Sequence, residues 1–368
     1  MYLKKISLVN FKNFDSFEFV PSERINCFIG DNGIGKTNLL DSIHYLSFCK
    51  SFINSVDKIN IRHEEEFFTI DGVFSRNEND ENIYCGVQAG KNKSFRKNGI
   101  QYQKLSEHIG FIPLVFSTPT DINLVGGGSE IRRKFADTII SQFDRNYLNN
   151  LIAYSKALEQ RNYLLKSLSD NSKIDLESIE AWDIKLVEHG EIIYQTRKKF
   201  NKDIVEIFQE YYNIISNKAE KVNLVYQSQL NNNDFQNLLI KSLNKDRIFK
   251  FTTCGVHKDD FEFVLNGFSI KKYGSQGQQK SYILSLKFAQ FDYLKQNLNL
   301  SPILLLDDIF DKLDEKRVIQ ITKLVSQNEF GQIFITDTCY KRMPEILKSL
   351  EIKSKILNLA TNKLITNE

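Results

Sequence analysis

The sequence predicts an α/β fold in which a mixed-sheet domain is split by a mainly helical insertion. Three observations predict it. A G-x-x-x-x-G-K-[ST] run, Gly30 to Thr37, stands between a buried-strand pattern and a helical one. Strand and helix patterns alternate toward both ends of the chain. Between those ends, residues 141–249 hold no proline and one glycine, Gly190, while apolar residues recur at spacings of three and four.

The elements follow in order. Leu3, Ile6, Leu8 and Phe11 alternate with polar residues, as do Phe17 and Phe19, and Ile25 to Ile29 is a short apolar run, so the first thirty residues read as strands. From Lys36 to about Lys50, Leu39, Leu40, Ile43 and Leu46 mark a helix. Phe67–Phe74 and Ile83–Gln88 read as strands, Lys97-Asn98-Gly99 as a hairpin turn, and Phe111–Phe116 as a further buried strand. Pro119 and Gly126–Gly128 punctuate the chain, and Ser129 reads as the cap of a helix starting at Glu130. In the insertion, Leu148, Leu151, Leu158 and Leu164, then Ile184, Leu186, Ile193 and Ile204, predict helices; Trp182 and these leucines are expected in the core. One strand is expected near Val222–Tyr226. Beyond Phe251 come a hairpin over Phe261–Phe268, a helix over Ser281–Leu294, a strand over Pro302–Leu306, a helix over Asp314–Ser326 and a strand over Gln332–Ile335. The expected division is 1–140 and 250–368 for the two parts of the sheet domain, and 141–249 for the insertion.

At 368 residues the chain is long enough for two domains. A hydrophobic fraction of 41% and a charged fraction of 26% exclude a collagen-like, disulfide-scaffold or wholly disordered chain. The net charge of +3 is too small to argue for nucleic acid by itself; that role would need local basic patches. No apolar run is long enough for a membrane span, and the N-terminus lacks a secretory pattern. Five cysteines without a CxxC pair argue against disulfides and zinc and for the reducing cytoplasm.

Three motifs carry chemistry. In Gly30-Asp31-Asn32-Gly33-Ile34-Gly35-Lys36-Thr37 the glycines let backbone N–H groups approach phosphates, and the following helix presents its positive end. Lys36 is expected on the β- and γ-phosphates of ATP and the Thr37 hydroxyl on Mg²⁺. The apolar run Ile303–Leu306 ends in Asp307-Asp308. Asp307 suits the outer shell of Mg²⁺, and Asp308 is placed to polarise an attacking water. Third, Ser275-Gln276-Gly277-Gln278 precedes a helix and offers a second anion cradle, expected to serve the γ-phosphate of a nucleotide held by another subunit.

These motifs, in this order, resemble the ABC-type ATPase superfamily: Walker A at Gly30–Thr37, a signature loop at Ser275, Gly277 and Gln278, Walker B with its catalytic acid at Asp307-Asp308, and a D-loop at Asp311–Asp314. The long separation of Thr37 from Ser275, and Thr336-Asp337 where a transport ATPase would carry a switch histidine, are similar to the SMC-like branch. Further stretches resemble the RecF family of bacterial recombination mediators: Ile6–Phe14, Pro119-Thr120-Asp121, Leu124–Gly127, Arg132–Asp137, Gln160-Arg161-Asn162, Gly255–Asp260 and Ser275–Lys280. Gly128, Lys258 and Lys280 depart from that family's usual residues; Asp308 in place of glutamate is typical of it and consistent with slow hydrolysis.

The resemblance implies an ABC-type head split by a helical arm, and a weak ATPase that dimerises on ATP. It implies binding to double-stranded and gapped or single-stranded DNA, and recombinase loading with RecR- and RecO-type partners, away from membranes. It also implies a nucleotide or interface role for His257. For DNA contact the basic groups Lys91, Lys93, Arg96 and Lys97, with Phe95 among them, and Arg132-Arg133 are candidates, because phosphate contacts need Lys and Arg. The rival readings are a transport ATPase subunit, opposed by motif spacing, another SMC-like repair ATPase, opposed by the absence of long coiled coils and a CxxC hook, and an adaptor with a vestigial P-loop, opposed by intact Lys36, Thr37, Asp307 and Asp308.

Overall fold

The structure, a computed structural model, describes residues 1–167, 176–216, 220–309, 315–326, 330–361 and 363–367. In chain order the first segment supplies strands β1 (Tyr2–Phe11), β2 (Phe14–Phe19) and β3 (Ile25–Ile29), helix α1 (Lys36–Phe48), and strands β4 (Phe67–Arg76), β5 (Asn79–Gln88), β6 (Ser94–Lys97), β7 (Ile100–Gln101) and β8 (Leu114–Ser117). The middle supplies α2 (Asn123–Gly126), α3 (Ser129–Phe143), α4 (Arg145–Ser167), α5 (Leu176–Ser216), β9 (Val222–Gln227), α6 (Phe235–Phe249), β10 (Asp260–Leu265), β11 (Phe268–Ser269) and α7 (Ile270–Tyr273). Helix α8 (Gln276–Leu298) leads to β12 (Ile303–Leu306), α9 (Glu315–Ser326), β13 (Ile333–Asp337), α10 (Arg342–Ser349), β14 (Ser354–Asn358) and β15 (Lys363–Asn367). Two compact units result: Met1–Asp121 with Gln290–Glu368, and Ile122–Ala289.

The first unit contains a mixed sheet in the order β15-β14-β3-β13-β12-β8, parallel except for β15 at its edge. Strands β3, β12 and β13 are buried at every residue, which is why they read as unbroken apolar runs. A second, antiparallel sheet runs β2-β1-β4-β5-β6-β7. Asn98 and Gly99 both take positive φ in the two-residue turn between β6 and β7. Helix α1 is buried on all sides and shares one hydrophobic core with both sheets, including Leu8, Phe28, Leu40, Ile43, Ile70 and Phe334. Its buried Asp41 needs partners there. It takes Lys12 Nζ at 2.5 Å, Ser51 Oγ at 2.6 Å and the Phe52 N–H at 2.6 Å.

The second unit packs α3 to α6 with a three-stranded antiparallel sheet, β11-β10-β9. The compact unit extends on both sides of residues 141–249 to take in α3 and β10. The buried stripe of α4 is Tyr147, Asn150, Tyr154, Ala157, Arg161 and Leu165. The expected stripe of Leu148, Leu151, Leu158 and Leu164 is only half-buried, and Trp182 likewise, while Ile184 is exposed. Aromatic rings and a neutralised arginine fill the space instead. Leu186, Ile193 and Ile204 of α5 are buried as expected.

Other boundaries differ for local reasons. Residues 111–113 turn before β8, where Pro113 offers no N–H to a ladder. Gly128, in extended conformation, is the cap of α3; Ser129 is its first residue, and its hydroxyl accepts a hydrogen bond from Arg133. Helix α8 begins five residues before the expected Ser281 and runs past Leu294 to Leu298. The expected helix start at Asp314 lies outside the described residues.

Candidate nucleotide site and basic surfaces

The site lies in the first unit, at the carboxyl ends of the parallel strands, where open α/β sheets bind ligands. After β3 the chain turns through Gly30, Gly33 and Gly35, all at positive φ, and α1 begins at Lys36. An ideal Cβ on Gly35 would come 2.4 Å from Asn13 Nδ2, so the loop is closed against a side chain as well as held at φ +112°. Asn13 donates to Ile34 O at 2.9 Å and accepts from Asn38 Nδ2 at 2.7 Å, clamping the loop from β1–β2. The buried Lys36 ammonium donates to the carbonyls of Gly30 at 2.8 Å and Asp31 at 3.1 Å, which bends the loop around the charge.

Strand β13 lies between β3 and β12, so Thr336 reaches the end of both. The Thr37 hydroxyl donates to the Asp307 carboxylate, 2.8 and 3.0 Å from its two oxygens, and Thr336 Oγ1 donates to the same group at 2.8 Å. Burial pushes the Asp307 carboxyl above the usual carboxylate range; hydrogen bonds from Thr336 and Thr37 oppose it. The Asp308 N–H donates to Thr336 Oγ1 at 2.8 Å, and Asp308 sits at φ 43°, a left-handed conformation uncommon for a non-glycine residue. Asp337 closes the site from beneath: its carbonyl accepts from the Gly30 N–H at 3.3 Å, and its buried carboxylate takes both Nε and Nη2 of Arg342. Asn13 lies in the Ile6–Phe14 stretch and Thr336-Asp337 at the strand end where a transport ATPase would carry its switch histidine, with no role assigned to them there; Arg342 belongs to no motif. The signal for the strand end is a polar pair closing an apolar run, the same pattern that marks Asp307-Asp308.

Residues 1–328 match the family model described as AAA ATPase domain. The chain is similar to the DNA replication and repair protein RecF of Phocaeicola vulgatus, at 48% identity covering 97% of this chain and 96% of that one. It is similar to the protein of the same name from Flavobacterium johnsoniae, at 46% identity covering 98% and 100%. The chain belongs to the RecF family. The solved structure of the recombination mediator protein RecF-ATP in the RecFOR pathway superposes with a TM-score of 0.89 at 30% identity, covering all of this chain and 98% of the other. An Smc head domain of Pyrococcus furiosus shares the fold, with a TM-score of 0.58 at 17% identity.

In the second unit of this RecF-family chain, Ser275 and Gln278 cap each other at the start of α8, and Ser275 stays exposed. The Ser275 N–H donates to Gln278 Oε1 at 2.9 Å, and Ser275 Oγ accepts from the Gln278 N–H at 3.3 Å, a reciprocal cap in the S-x-x-Q pattern. Gln278 Nε2 also donates to Glu220 at 2.8 Å, tying the start of α8 to the α5–β9 connection; Gly277 is the second helical residue. The D-loop residues Asp311–Asp314 lie outside the described residues.

The basic clusters are largely neutralised. Lys93 pairs with Asp57 at 2.8 Å and donates to Cys49 O at 2.7 Å; Lys97 pairs with Glu81 at 3.3 Å and stands 3.9 Å from the Phe111 ring centre. Phe95 is buried in the core. Arg132 makes a two-pronged pair with Asp260 at 2.7 and 2.8 Å, and Arg133 donates to the carbonyl of Asp259 at 2.7 Å. Of the six candidates, Lys91 and Arg96 keep exposed charges. His257 is likewise committed: Tyr154 O–H donates to its Nδ1 at 2.8 Å and its Nε2–H donates to Thr252 O at 3.1 Å. Beside it, Arg197 bonds Asp137, Val256 O and Asp259 in one buried network.

Proposed function

We propose that this chain is an ATP-switched DNA-binding protein of recombinational repair and replication. In this reading Gly30–Thr37 cradles the triphosphate, with Lys36 released from its loop carbonyls onto the β- and γ-phosphates. The Thr37 hydroxyl and the Asp307 carboxylate are hard oxygen donors side by side, a set that fits Mg²⁺, which would neutralise charge on the phosphates. Asp308 orients the attacking water, and its short side chain suits slow hydrolysis. ATP joins two copies, each placing Ser275, Gly277 and Gln278 over the partner's nucleotide. Hydrolysis releases the pair, so the two nucleotide states differ in their contacts and the population shifts between them.

DNA at single-strand gaps or duplex–gap junctions is the ligand, and RecO- and RecR-type mediators are the partners. The name of the RecFOR-pathway structure supports that assignment. Among the described residues no helix is long and apolar enough to cross a membrane, which suits a cytoplasmic role. Residues 141–249 act as the arm of the head, whose two parts are 1–140 and 250–368.

The observation that carries this reading is the Thr37–Asp307–Thr336 cluster at the strand ends beneath the P-loop. The test is fluorescence anisotropy of a labelled gapped duplex titrated with protein, with and without Mg²⁺-ATP, at fixed salt. Binding that requires ATP and is lost in Lys36→Ala is expected. Binding indifferent to nucleotide in both proteins would overturn the switch.

A further inference from the structure

We propose that the groove between helix α5 and strand β9 is a docking surface for the phosphate backbone of duplex DNA. The inference rests on the DNA-binding reading above and names a surface for it. The groove has a volume of about 860 Å³ and lies wholly in the second unit. Gln195, Lys198, Lys199 and Lys202 form one wall, at helical spacings of three and four. Asn223 and Val225, both exposed, face it from β9.

Charge separates this surface from the basic clusters read in the sequence. Lys93, Lys97 and Arg132 are bound to carboxylates. Lys199 and Lys202 have no ion pair among the described residues, and Lys198 stands 5.7 Å from the Tyr194 ring centre, a contact that places the ammonium without neutralising it. Like charges at these helical spacings repel, and a bound polyanion relieves that repulsion. Among the described residues Glu206 is the one carboxylate lining the groove.

The strand edge argues against a peptide occupant. A peptide that adds to a sheet needs free backbone groups along the edge. Here Asn201 Nδ2 covers Leu224 O at 3.0 Å, Gln209 Oε1 covers the Val222 N–H at 2.9 Å, and Asn231 Nδ2 approaches Tyr226 O at 3.5 Å. What the groove presents is a row of ammonium groups and amides. Such groups hold phosphates without reading sequence.

The experiment measures the affinity of the full chain for a labelled gapped duplex in Mg²⁺-ATP across a salt series. The variants are Lys198→Ala/Lys199→Ala/Lys202→Ala and, as a charge-matched control on α6, Lys241→Ala/Lys245→Ala/Arg247→Ala. Each lost phosphate contact reduces the slope of log affinity against log salt by about 0.9, so the groove variant is expected to be shallower by about 2 to 3. The control should keep the wild-type slope. A Lys→Arg version of the groove triple keeps the charge and should restore the slope; it also separates lost charge from lost folding. A groove variant with wild-type slope, or equal changes in groove and control variants, overturns the inference. Absence of ATP-dependent DNA binding in the wild type instead defeats the function on which it rests.

Discussion

The hydroxyl of Thr37 and the carboxylate of Asp307, 270 residues apart in sequence, are hydrogen bonded at 2.8 Å. Lys36 and Thr37 open α1, while Asp307 follows β12, and β13 between the two strands adds Thr336 to the same carboxylate. Burial raises the Asp307 carboxyl above the usual carboxylate range, so its charged form costs more in the fold than in the unfolded chain. Asp307→Asn removes that charge at nearly constant shape. Two opposite effects are expected. Phosphate release from Mg²⁺-ATP should fall roughly 10–100-fold or more, as outer-shell losses do at metal sites. The unfolding midpoint of the nucleotide-free protein should rise. A variant that hydrolyses ATP at the wild-type rate would remove Asp307 from the site.

Asn13 offers a second test, because it touches the loop through its side chain alone. Its carboxamide joins Ile34 O to Asn38 Nδ2. Asn13→Ala breaks both bonds and leaves every P-loop residue intact. A net loss of about 1 kcal/mol corresponds to about five-fold weaker ATP binding. Gly35→Ala should be worse, since it adds a Cβ at 2.4 Å from Asn13 Nδ2 and at φ +112°. Titration of both variants with a fluorescent ATP analogue gives the ranking; equal affinities for Asn13→Ala and wild type would show the clamp to be incidental.

How much of this was legible depends on the range of the interaction. The strands β3, β12 and β13 and the loop Gly30–Thr37 announce themselves locally, through unbroken apolar runs and glycines. The mixed sheet and the helical insertion follow from such runs. In sequence Thr336 stands out only by taking the place of a transport ATPase's switch histidine; its role appears once β13 lies between β3 and β12, which no local pattern specifies. Ser275-Gln276-Gly277-Gln278 reads in sequence as an anion cradle; the reciprocal cap between Ser275 and Gln278 appears only once the helix start is placed at Gln276. Basic residues mislead for a related reason. Arg132 and Asp260 are far apart in the chain, so their pairing cannot be read from either neighbourhood. The segment after Asp337 holds only short elements, α10, β14 and β15, although Met343, Ile346 and Leu347 of α10 do recur at spacings of three and four.

Arg161 makes the same point in the insertion, and it carries a stability prediction. Its side chain is fully buried on α4 and bonds Asp183 at 2.5 Å, Asp246 at 2.7 Å and Thr252 Oγ1 at 2.9 Å. Asp246, also fully buried, further accepts from the Thr253 N–H at 2.9 Å. Removing one partner strands the other charge away from water. Arg161→Ala and Asp246→Ala should therefore each cost about 3–5 kcal/mol. The double variant should cost clearly less than the two added together. Urea denaturation of the four proteins completes the cycle, and strict additivity would mean the pair does not interact.

The last prediction concerns acid. His108 and His257 are held alike: a tyrosine O–H, from Tyr102 or Tyr154, donates to Nδ1, and Nε2–H donates to a carbonyl, of Leu46 or Thr252. Both arrangements suit the neutral ring, and burial pushes each histidine down to about 4. In the unfolded chain each titrates near 6.5. The unfolded state therefore takes up protons first as pH falls. The stability these rings contribute is fully present above about pH 6.5 and is lost toward pH 4, at up to about 1.4 kcal/mol per pH unit for each ring. From pH 7 to pH 5 that is a loss of about 2 kcal/mol per histidine, which His108→Gln and His257→Gln should each remove from the wild-type difference. Gln keeps a donor for the carbonyl and does not titrate. Chemical denaturation at the two pH values measures it. If both variants lose as much stability on acidification as the wild type, the rings are protonated in the fold and their hydrogen bonds must be assigned the other way.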